Sequence, residues 1–146
     1  MAQRELTPDE VDALLRSQRV MRVAFSTPDR IYILPLGYLW MDQQFHLIVT
    51  SGDKMHITAR NPRVGFQIDD SAEMGLLAWS SVSGEGEWEV VSDRTARESL
   101  LPLLLDRFPE LRDWGTREHS DKEAAGEVHY VRIRPTQMTG RHFVPD

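Results

Sequence analysis

The residues best suited to bind a ligand lie in the stretch TSGDK, residues 50–54, directly behind the apolar run FHLIV. A glycine turn that leads from a strand into a short helix directs backbone N–H groups at one point, and a helix N-terminus carries partial positive charge. Since Thr50 and Ser51 offer hydroxyl protons and Lys54 a full charge, the segment predicts an anion site. The alternative is local: Ser51 or Asp53 caps the helix and Lys54 is solvated. The P-loop spacing G-x-x-x-x-G-K-[ST] is absent, which disfavours a nucleoside triphosphatase.

A second candidate ligand contact is the apolar stretch ILPLGYLW, residues 33–40. Apolar residues at both odd and even positions indicate a strand that is covered on both faces. Pro35 removes a ladder donor and Gly37 removes a side chain, so the sheet is expected to be interrupted here. A flat, partly apolar ligand could lie against the exposed backbone, flanked by Leu36 and Tyr38. A bulge without a ligand is the alternative.

A third candidate contact is formed by Trp79, Ser80 and Ser81, which place an aromatic ring beside two hydroxyls. The alternative is that this tryptophan is simply part of the core. The histidines have no metal-ligand spacing such as H-E-x-x-H, so no metal site is predicted. The five histidines are His46, His56, His119, His129 and His142.

The composition disfavours several classes of function. The 146 residues fit one domain, 1–146, with a core that needs neither disulfides nor metal. The chain has no cysteine, which removes thiolate zinc sites and cysteine nucleophiles, and its net charge of -6 disfavours nucleic-acid binding. The opening MAQRELTPDEV has no apolar signal core, and LLPLLL is too short to cross a bilayer. We therefore expect a cytoplasmic protein that contacts no membrane.

The first half of the sequence predicts one helix followed by a meander of strands. Thr7 and Glu10 have capping-box spacing and Pro8 suits a first helical turn, which predicts a helix over about residues 8–18. A short helix, KMHITAR, is ended by Asn61-Pro62, because the residue before proline avoids the helical region. The runs predicted as strands are VMRVAFS, IYILPLGYLW, FHLIVTS and VGFQIDD.

The second half predicts a long strand, a helix and a closing strand. The strand is LAWSSVSGEGEWEVV, and the helix is TARESLL, capped by Asp93 and kinked or divided at Pro102. The polar segment WGTREHSDKEAAGE predicts a loop, and HYVRIRP predicts the last strand. Many strands with short turns and few helices favour a mainly β protein with flanking helices, either an antiparallel barrel or a sandwich.

Taken in order, the candidate stretches resemble the FMN-binding split-barrel proteins of the pyridoxamine 5'-phosphate oxidase-like superfamily, and most closely its small nitroimidazole-reductase-type members. The matching features are PLGY, TSGDK, NPRVGFQIDD, AWSSVSGEGEWEVV and VRIRPTQMTGRHF, over about residues 8–92 and 128–143. The segment between about 93 and 127 is not matched. The resemblance implies an antiparallel split β-barrel that forms a homodimer.

The resemblance also assigns residues to the cofactor. They are Pro35, Leu36, Gly37 and Tyr38 along the flavin ring through main-chain contacts, Thr50, Ser51 and Lys54 at the phosphate, and Trp79, Ser80 and Ser81 on a bordering strand. It implies two equivalent sites at the dimer interface, where Arg132, Arg134 or Arg141 could reach the flavin of the partner subunit. The C-terminal substrate motif of true pyridoxamine phosphate oxidases is absent, which puts vitamin B6 chemistry in doubt.

The function implied by the resemblance is that of an FMN-dependent reductase or oxidase of a small organic substrate, driven by NAD(P)H. Because the flavin would carry the hydride chemistry, no catalytic residue is assigned. One alternative is a haem-binding or haem-handling protein with a histidine as axial ligand. The other is a deazaflavin-dependent reductase, whose longer acidic cofactor tail would need a basic groove. The arginines that could form such a groove are Arg16, Arg19, Arg22, Arg60 and Arg63.

Overall fold

The computed structural model describes residues 2–114 and 127–145. Its strands are β1 (Ala2–Glu5), β2 (Val20–Thr27), β3 (Arg30–Gly37), β4 (Leu39–Met41), β5 (Gln44–Thr50), β6 (Arg63–Asp69), β7 (Trp79–Val90) and β8 (Val128–Val144). Its helices are α1 (Pro8–Ser17), α2 (Asp53–Arg60), α3 (Ser71–Met74) and α4 (Arg94–Arg107), followed by a 3₁₀ helix, Pro109–Trp114. The predicted mainly β architecture with flanking helices is confirmed.

The strands form one antiparallel sheet in the spatial order β3-β2-β6-β7-β8-β5-β4, with β1 added to β8. Between β7 and β8 the register shifts at Glu85 and Gly86. A Cβ atom on Gly84 would lie 2.0 Å from the carbonyl oxygen of Gln137. Only glycine allows this close approach of the two backbones, and such bulges sharpen the curvature that a half-barrel needs.

The concave face of the sheet holds the main core. Met21, Val23 and Phe25 alternate along β2 and are at most 1% exposed. Phe45 lies at the centre of an aromatic cluster, with its ring centroid 4.7 Å from that of Trp40 and 4.9 Å from that of Phe66. Each such aromatic pair contributes about 0.5–1.5 kcal/mol beyond its burial.

Helix α1 begins with the predicted capping box. The Thr7 hydroxyl accepts a hydrogen bond from the N–H of Glu10, and the Glu10 carboxylate accepts one from the N–H of Thr7. Leu14 and Leu15 of the same helix are buried in the main core. The Tyr38 hydroxyl donates to the carbonyl of Leu15 over 2.7 Å, which fastens the helix to the junction between β3 and β4.

Helix α4 covers the other side of β5 and β8. Asp93 caps it by accepting a hydrogen bond from Ala96, as predicted, and Leu100 and Leu104 pack into a second apolar cluster. The helix continues through Pro102, so of the two predicted alternatives, a kink or the start of a second helix, the second is wrong. The buried leucines on both sides of Pro102 hold the helix against the sheet despite the lost backbone donor.

The run IYILPLGYLW is divided between β3 and β4, with Tyr38 between them. The expectation that this strand is covered on both faces is wrong for the single chain. Ile31 is 75% exposed and Ile33 is 62% exposed on the outer face of β3. Two short elements, β1 and α3, were not predicted, and the predicted loop over 114–127 lies mostly outside the described residues. No helix in the described ranges has the length and apolar character to cross a membrane.

Candidate functional site

The most unusual charged residue is Lys54, in the first turn of α2. It is only 7% exposed. Within residues 2–114 and 127–145, no carboxylate forms an ion pair with its ammonium group. Burial lowers the pKa of Lys54 below its usual value, because the charged form is poorly solvated there. A buried ammonium without a counter-charge is costly, so this position suits an anion.

The beginning of α2 has backbone groups that can share that anion. Its N-cap is Gly52, and no side chain makes a capping hydrogen bond. The alternative in which Ser51 or Asp53 caps the helix is therefore wrong. A methyl group on Gly52 would lie 3.8 Å from Nζ of Lys54, so the ammonium reaches back to the open side of this turn. The helix N-terminus and the lysine ammonium would therefore attract an anion to the same position.

Sequence reasoning missed Arg30, which brings a second cation to this place. Its Nη2 atom lies 3.5 Å from Oδ2 of Asp53, the first residue of α2. Its guanidinium also lies 4.8 Å from the ring centroid of Tyr32. Arg30 follows a turn at the start of β3 and carries no local signal of a binding role, because only the packing of the sheet places it beside α2.

At the end of β5, Ser51 continues the face of Val49, and the neighbouring Thr50 points to the opposite face of the sheet. Thr50 is exposed and pairs with Val128 in β8. The N–H of Ser51 donates to the carbonyl of Glu127 over 2.9 Å, which extends the ladder by one more residue. Its Oγ lies 2.9 Å from Nε2 of His129. The structure thus places Thr50, Ser51 and Lys54 at one end of the half-barrel. Their role in binding an anion stays a prediction.

The predicted ring-binding residues have mixed surroundings. Tyr38 is fully buried, so the expectation that its side chain flanks a ligand does not hold. A methyl group on Gly37 would lie 3.1 Å from the ring of Phe108, so the missing side chain makes room for the end of α4. Leu36 is half-buried against the core, whereas Pro35 is exposed on the outer face of β3.

Trp79, Ser80 and Ser81 lie at the other end of the sheet. They pair with Phe143, His142 and Arg141 near the end of β8, whereas Thr50 pairs with its first residue, Val128. One chain therefore does not bring the two groups of predicted residues into one pocket. The Trp79 ring stacks on Phe143 with the centroids 4.3 Å apart. Its buried Nε1 makes no hydrogen bond among the described residues.

The outer face of the sheet between these two ends contains a shallow cavity of about 420 Å³. Its floor is made of small residues, among them Ala24, Gly65 and Gly84, and Ile33 forms part of its wall. Ala24, Ile33 and Gly65 are paired with one another across β2, β3 and β6, and their positions face the same side of the sheet as Pro35. The cavity lining is partly apolar, and it also includes the polar residues Arg22, Gln67 and Glu85.

Most arginines considered for a binding role are paired with carboxylates. Arg132 and Arg134 of β8 form ion pairs of 2.8 Å with Glu89 and 2.9 Å with Glu87. The arginines of the proposed basic groove that have carboxylate partners are Arg16 with Asp12, Arg19 with Glu110, Arg22 with Asp69 and Arg63 with Glu85. These pairs leave little uncompensated charge for a long acidic cofactor tail.

Three of the described histidines, His46, His129 and His142, contact other groups. His46 is buried and its Nε2 lies 3.0 Å from the carbonyl of Met41, and burial lowers the pKa of its imidazole. His142 Nδ1 lies 2.9 Å from Oγ of Ser80. Within the described residues, no group of three or more His, Cys, Asp or Glu side chains could hold a metal ion. His119 lies outside those residues.

Comparisons with known proteins give the chain its family. The family model described as pyridoxamine 5'-phosphate oxidase matches residues 7–142. A search of curated proteins found no match. Among solved structures, an FAD-binding protein from Mesorhizobium loti has a TM-score of 0.79 and 24% identity, with 98% of this chain and 99% of that chain covered.

Two further structures share the fold. A protein described as a 5-nitroimidazole antibiotic resistance protein, from Bacteroides thetaiotaomicron, has a TM-score of 0.70 and 14% identity over 98% of this chain and 90% of that chain. A heme storage protein from Vibrio cholerae has a TM-score of 0.71 and 14% identity over 94% and 93%. These similarities confirm the antiparallel split β-barrel. With a family model that matches almost its whole length, the chain belongs to the pyridoxamine 5'-phosphate oxidase family.

Proposed function

We propose that this protein is a homodimeric, FMN-dependent oxidoreductase of the cytoplasm that acts on a small organic substrate with NAD(P)H as the electron donor. The observation that carries the proposal is the buried Lys54 at the N-terminus of α2, which pairs with no carboxylate of the described residues. Flavin binding by the related protein from Mesorhizobium loti is consistent with it.

The end of the barrel near α2 fits a phosphomonoester. Such a group carries about -1.5 to -2 charges at neutral pH and accepts hydrogen bonds on three oxygens. Lys54 and Arg30 would supply the two positive charges, and the first turn of α2 would supply backbone N–H groups. The hydroxyl of Ser51 would add a polar contact on the face of Val49, whereas the Thr50 side chain points to the opposite face. Binding would also relieve the unfavourable burial of the Lys54 ammonium.

A flavin ring attached to that phosphate would extend along β3. This strand is at the end of the sheet order, so alternate backbone groups on its free side are available to a ligand. Pro35 is five residues from Arg30, or about 16 Å along the strand. Ile31 and Ile33, which are exposed between them, are apolar enough to face part of a ring system.

A second copy of the chain would complete the site. In an isologous dimer the same patch is used by both subunits, and a two-fold axis that runs across the strands exchanges the two ends of the sheet. The Trp79 end of one copy would then approach the Lys54 end of the other. This arrangement accounts for predicted cofactor residues that lie apart in one chain, and for the exposed isoleucines of β3.

The bound flavin would supply hydride transfer, and the chain would bind, orient and shield it. Lys54 and Arg30 would anchor the phosphate, while the edge of β3 would fix the plane of the ring. No described carboxylate or histidine has to act as a proton donor for this part of the function.

The test is a parallel titration of the purified protein with FMN, FAD, riboflavin, a deazaflavin cofactor and haem. We expect FMN to bind with altered flavin fluorescence and a shifted visible spectrum, and more tightly than riboflavin. NADPH or NADH should then bleach the bound flavin in the absence of oxygen. Tight haem binding without FMN binding would overturn the proposal, as would equal affinity for FMN and riboflavin.

A further inference from the structure

We propose that Gln67 offers its side-chain carbonyl oxygen as a hydrogen-bond acceptor at the outer-face cavity, and that together with Arg22 it recognises the imide edge of the flavin ring. The inference rests on the proposed flavin-dependent function and names the groups that would select the ring. Gln67 is partly buried in β6 and lines the cavity, as Arg22 of β2 does.

The orientation of the Gln67 amide is set by its neighbours. Its Nε2 atom lies 2.7 Å from Oδ2 of Asp69 and 3.0 Å from Oγ of Ser81. An ionised carboxylate can only accept hydrogen bonds, so the group that faces Asp69 must be the amide NH₂. This contact removes the usual ambiguity between the nitrogen and the oxygen of a side-chain amide.

Asp69 is itself held in place and in its ionised form. Burial acts to raise the pKa of its carboxyl group, but hydrogen bonds from Ser71 and Gln67 outweigh burial and keep the pKa below its usual value. Oδ1 of Asp69 accepts from both the N–H and the hydroxyl of Ser71, while Oδ2 accepts from Gln67. The carboxylate is therefore fixed by the start of α3, and it fixes the glutamine in turn.

The carbonyl oxygen of Gln67 is accessible to a ligand. Within residues 2–114 and 127–145, Gln67 donates two side-chain hydrogen bonds, and its Oε1 atom accepts none. Oε1 is also not one of the enclosed side-chain atoms that lack a hydrogen bond there. The outer face thus has an acceptor of known orientation, which suits an N–H group of a ligand.

Arg22 adds donors directly beside this acceptor. It is paired with Gln67 across β2 and β6, so the two side chains start from the same face of the sheet. Its Nη1 atom lies 3.9 Å from Oδ2 of Asp69, which is too long for a hydrogen bond, and its side chain is 52% exposed. A guanidinium has five N–H groups, so Arg22 retains donors for a ligand.

A donor next to an acceptor is complementary to a cyclic imide. The pyrimidine part of a flavin ring carries an N–H group, at N3, between two carbonyl groups. Gln67 would accept from this N–H, and Arg22 would donate to a neighbouring carbonyl. A ring without the N3 proton would leave the Gln67 carbonyl unpaired. The cavity also borders Ile33 of β3, the strand along which the ring is proposed to lie.

The experiment compares the affinities of riboflavin and 3-methylriboflavin, in which a methyl group replaces the N3 proton. We expect wild-type protein to bind riboflavin about three- to tenfold more tightly. Gln67→Leu keeps a similar side-chain volume and should bind the two flavins equally, through weaker riboflavin binding. Arg22→Leu should weaken both and keep the preference. The control is Gln44→Leu, which changes a partly buried glutamine of β5 and should alter neither affinity.

A preference of unchanged size in Gln67→Leu would show that the methyl group is rejected by shape alone, and would overturn the role of Gln67. Equal affinities in wild-type protein would overturn it without any variant. Unchanged affinities in Arg22→Leu would remove Arg22 from the site. Because neither ligand carries a phosphate, these outcomes do not depend on Lys54. If FMN does not bind at all, the proposed function fails as well, whereas FMN binding without a preference for the N3 proton overturns only this inference.

Discussion

Arg30 Nη2 lies 3.5 Å from Asp53 Oδ2, and this contact joins the first residue of β3 to the first residue of α2. The two side chains are 51% and 60% exposed, so the pair contributes at most about 1 kcal/mol to folding. Its position matters more than its strength. At the proposed site, Asp53 would compete with a bound phosphate for Arg30.

Changes to this pair should affect FMN affinity in opposite directions. Arg30→Gln removes a cation that would contact the phosphate, and we expect FMN binding to weaken about three- to tenfold. Asp53→Asn removes a repulsive charge and frees Arg30, so FMN should bind about two- to fivefold more tightly. Dissociation constants from fluorescence titration at fixed ionic strength would test both.

The matched control is Arg63→Gln, since Arg63 is also an exposed arginine paired with a carboxylate, Glu85, at 2.7 Å. It should leave FMN affinity unchanged. If Asp53→Asn weakened FMN binding as much as Arg30→Gln, the ion pair would be structural rather than a competitor for phosphate.

Lys54→Met should stabilise the protein without ligand while it weakens FMN binding. The methionine fills a similar volume and removes an ammonium that is 7% exposed and has no counter-charge among the described residues. We expect a gain of about 1 kcal/mol in the free energy of unfolding at pH 7 and a loss of FMN affinity of about tenfold or more. Chemical denaturation and FMN titration measure the two effects.

The pH dependence follows from the lowered pKa of Lys54. Between that lowered value and the usual value of 10.5, the unfolded chain binds more protons than the folded chain, so the free energy of unfolding rises with pH. The penalty is fully present below the lowered pKa and disappears above 10.5. The advantage of Lys54→Met over wild type should therefore shrink as pH rises through this window. A constant advantage would contradict the assignment of the penalty to the charge.

Local signals were enough to predict most of the elements. The capping box of Thr7 and Glu10 and the cap at Asp93 depend on residues three positions apart, and both are present in the structure. The strand runs were found because their β-branched residues are bounded by turns. The end of β5 and the start of α2 were found in the same way, which placed Lys54 in the first turn of α2.

The parts that were missed depend on distant contacts. The Tyr38 hydroxyl donates a hydrogen bond to the carbonyl of Leu15, 23 residues earlier. Gly37 leaves room for the ring of Phe108, which belongs to a segment that follows β7. Arg30 meets Asp53 across 23 residues of chain. Apolar residues at both odd and even positions of β3 show that both of its faces are apolar. That pattern does not show whether the same chain or a second copy covers the outer face.

Gly37→Ala tests whether this glycine serves a ligand or the packing of α4. The added methyl group would lie 3.1 Å from the Phe108 ring, which is itself 4.9 Å from the Arg19 guanidinium. We expect a loss of about 1–2 kcal/mol in the free energy of unfolding, because the ring has to move. In a Phe108→Leu background the cost should be smaller. A loss of FMN affinity with unchanged stability would instead indicate that Gly37 contacts the flavin and is not needed for the packing of α4.

Ile33→Glu tests the proposed dimer at the outer face of the sheet. Ile33 is 62% exposed in the single chain and borders the shallow cavity floored by Ala24 and Gly65. In a face-to-face dimer the two glutamates would be buried and unpaired, so we expect the wild-type protein to be a dimer and the variant a monomer at micromolar concentration by light scattering. FMN affinity should fall when the dimer is lost, because the Trp79 end of the second copy is then missing from the site. Leu103→Glu is the control, since Leu103 is 43% exposed on α4, away from this face. A wild-type monomer with FMN bound, or an Ile33→Glu dimer of unchanged affinity, would contradict a site shared between two copies.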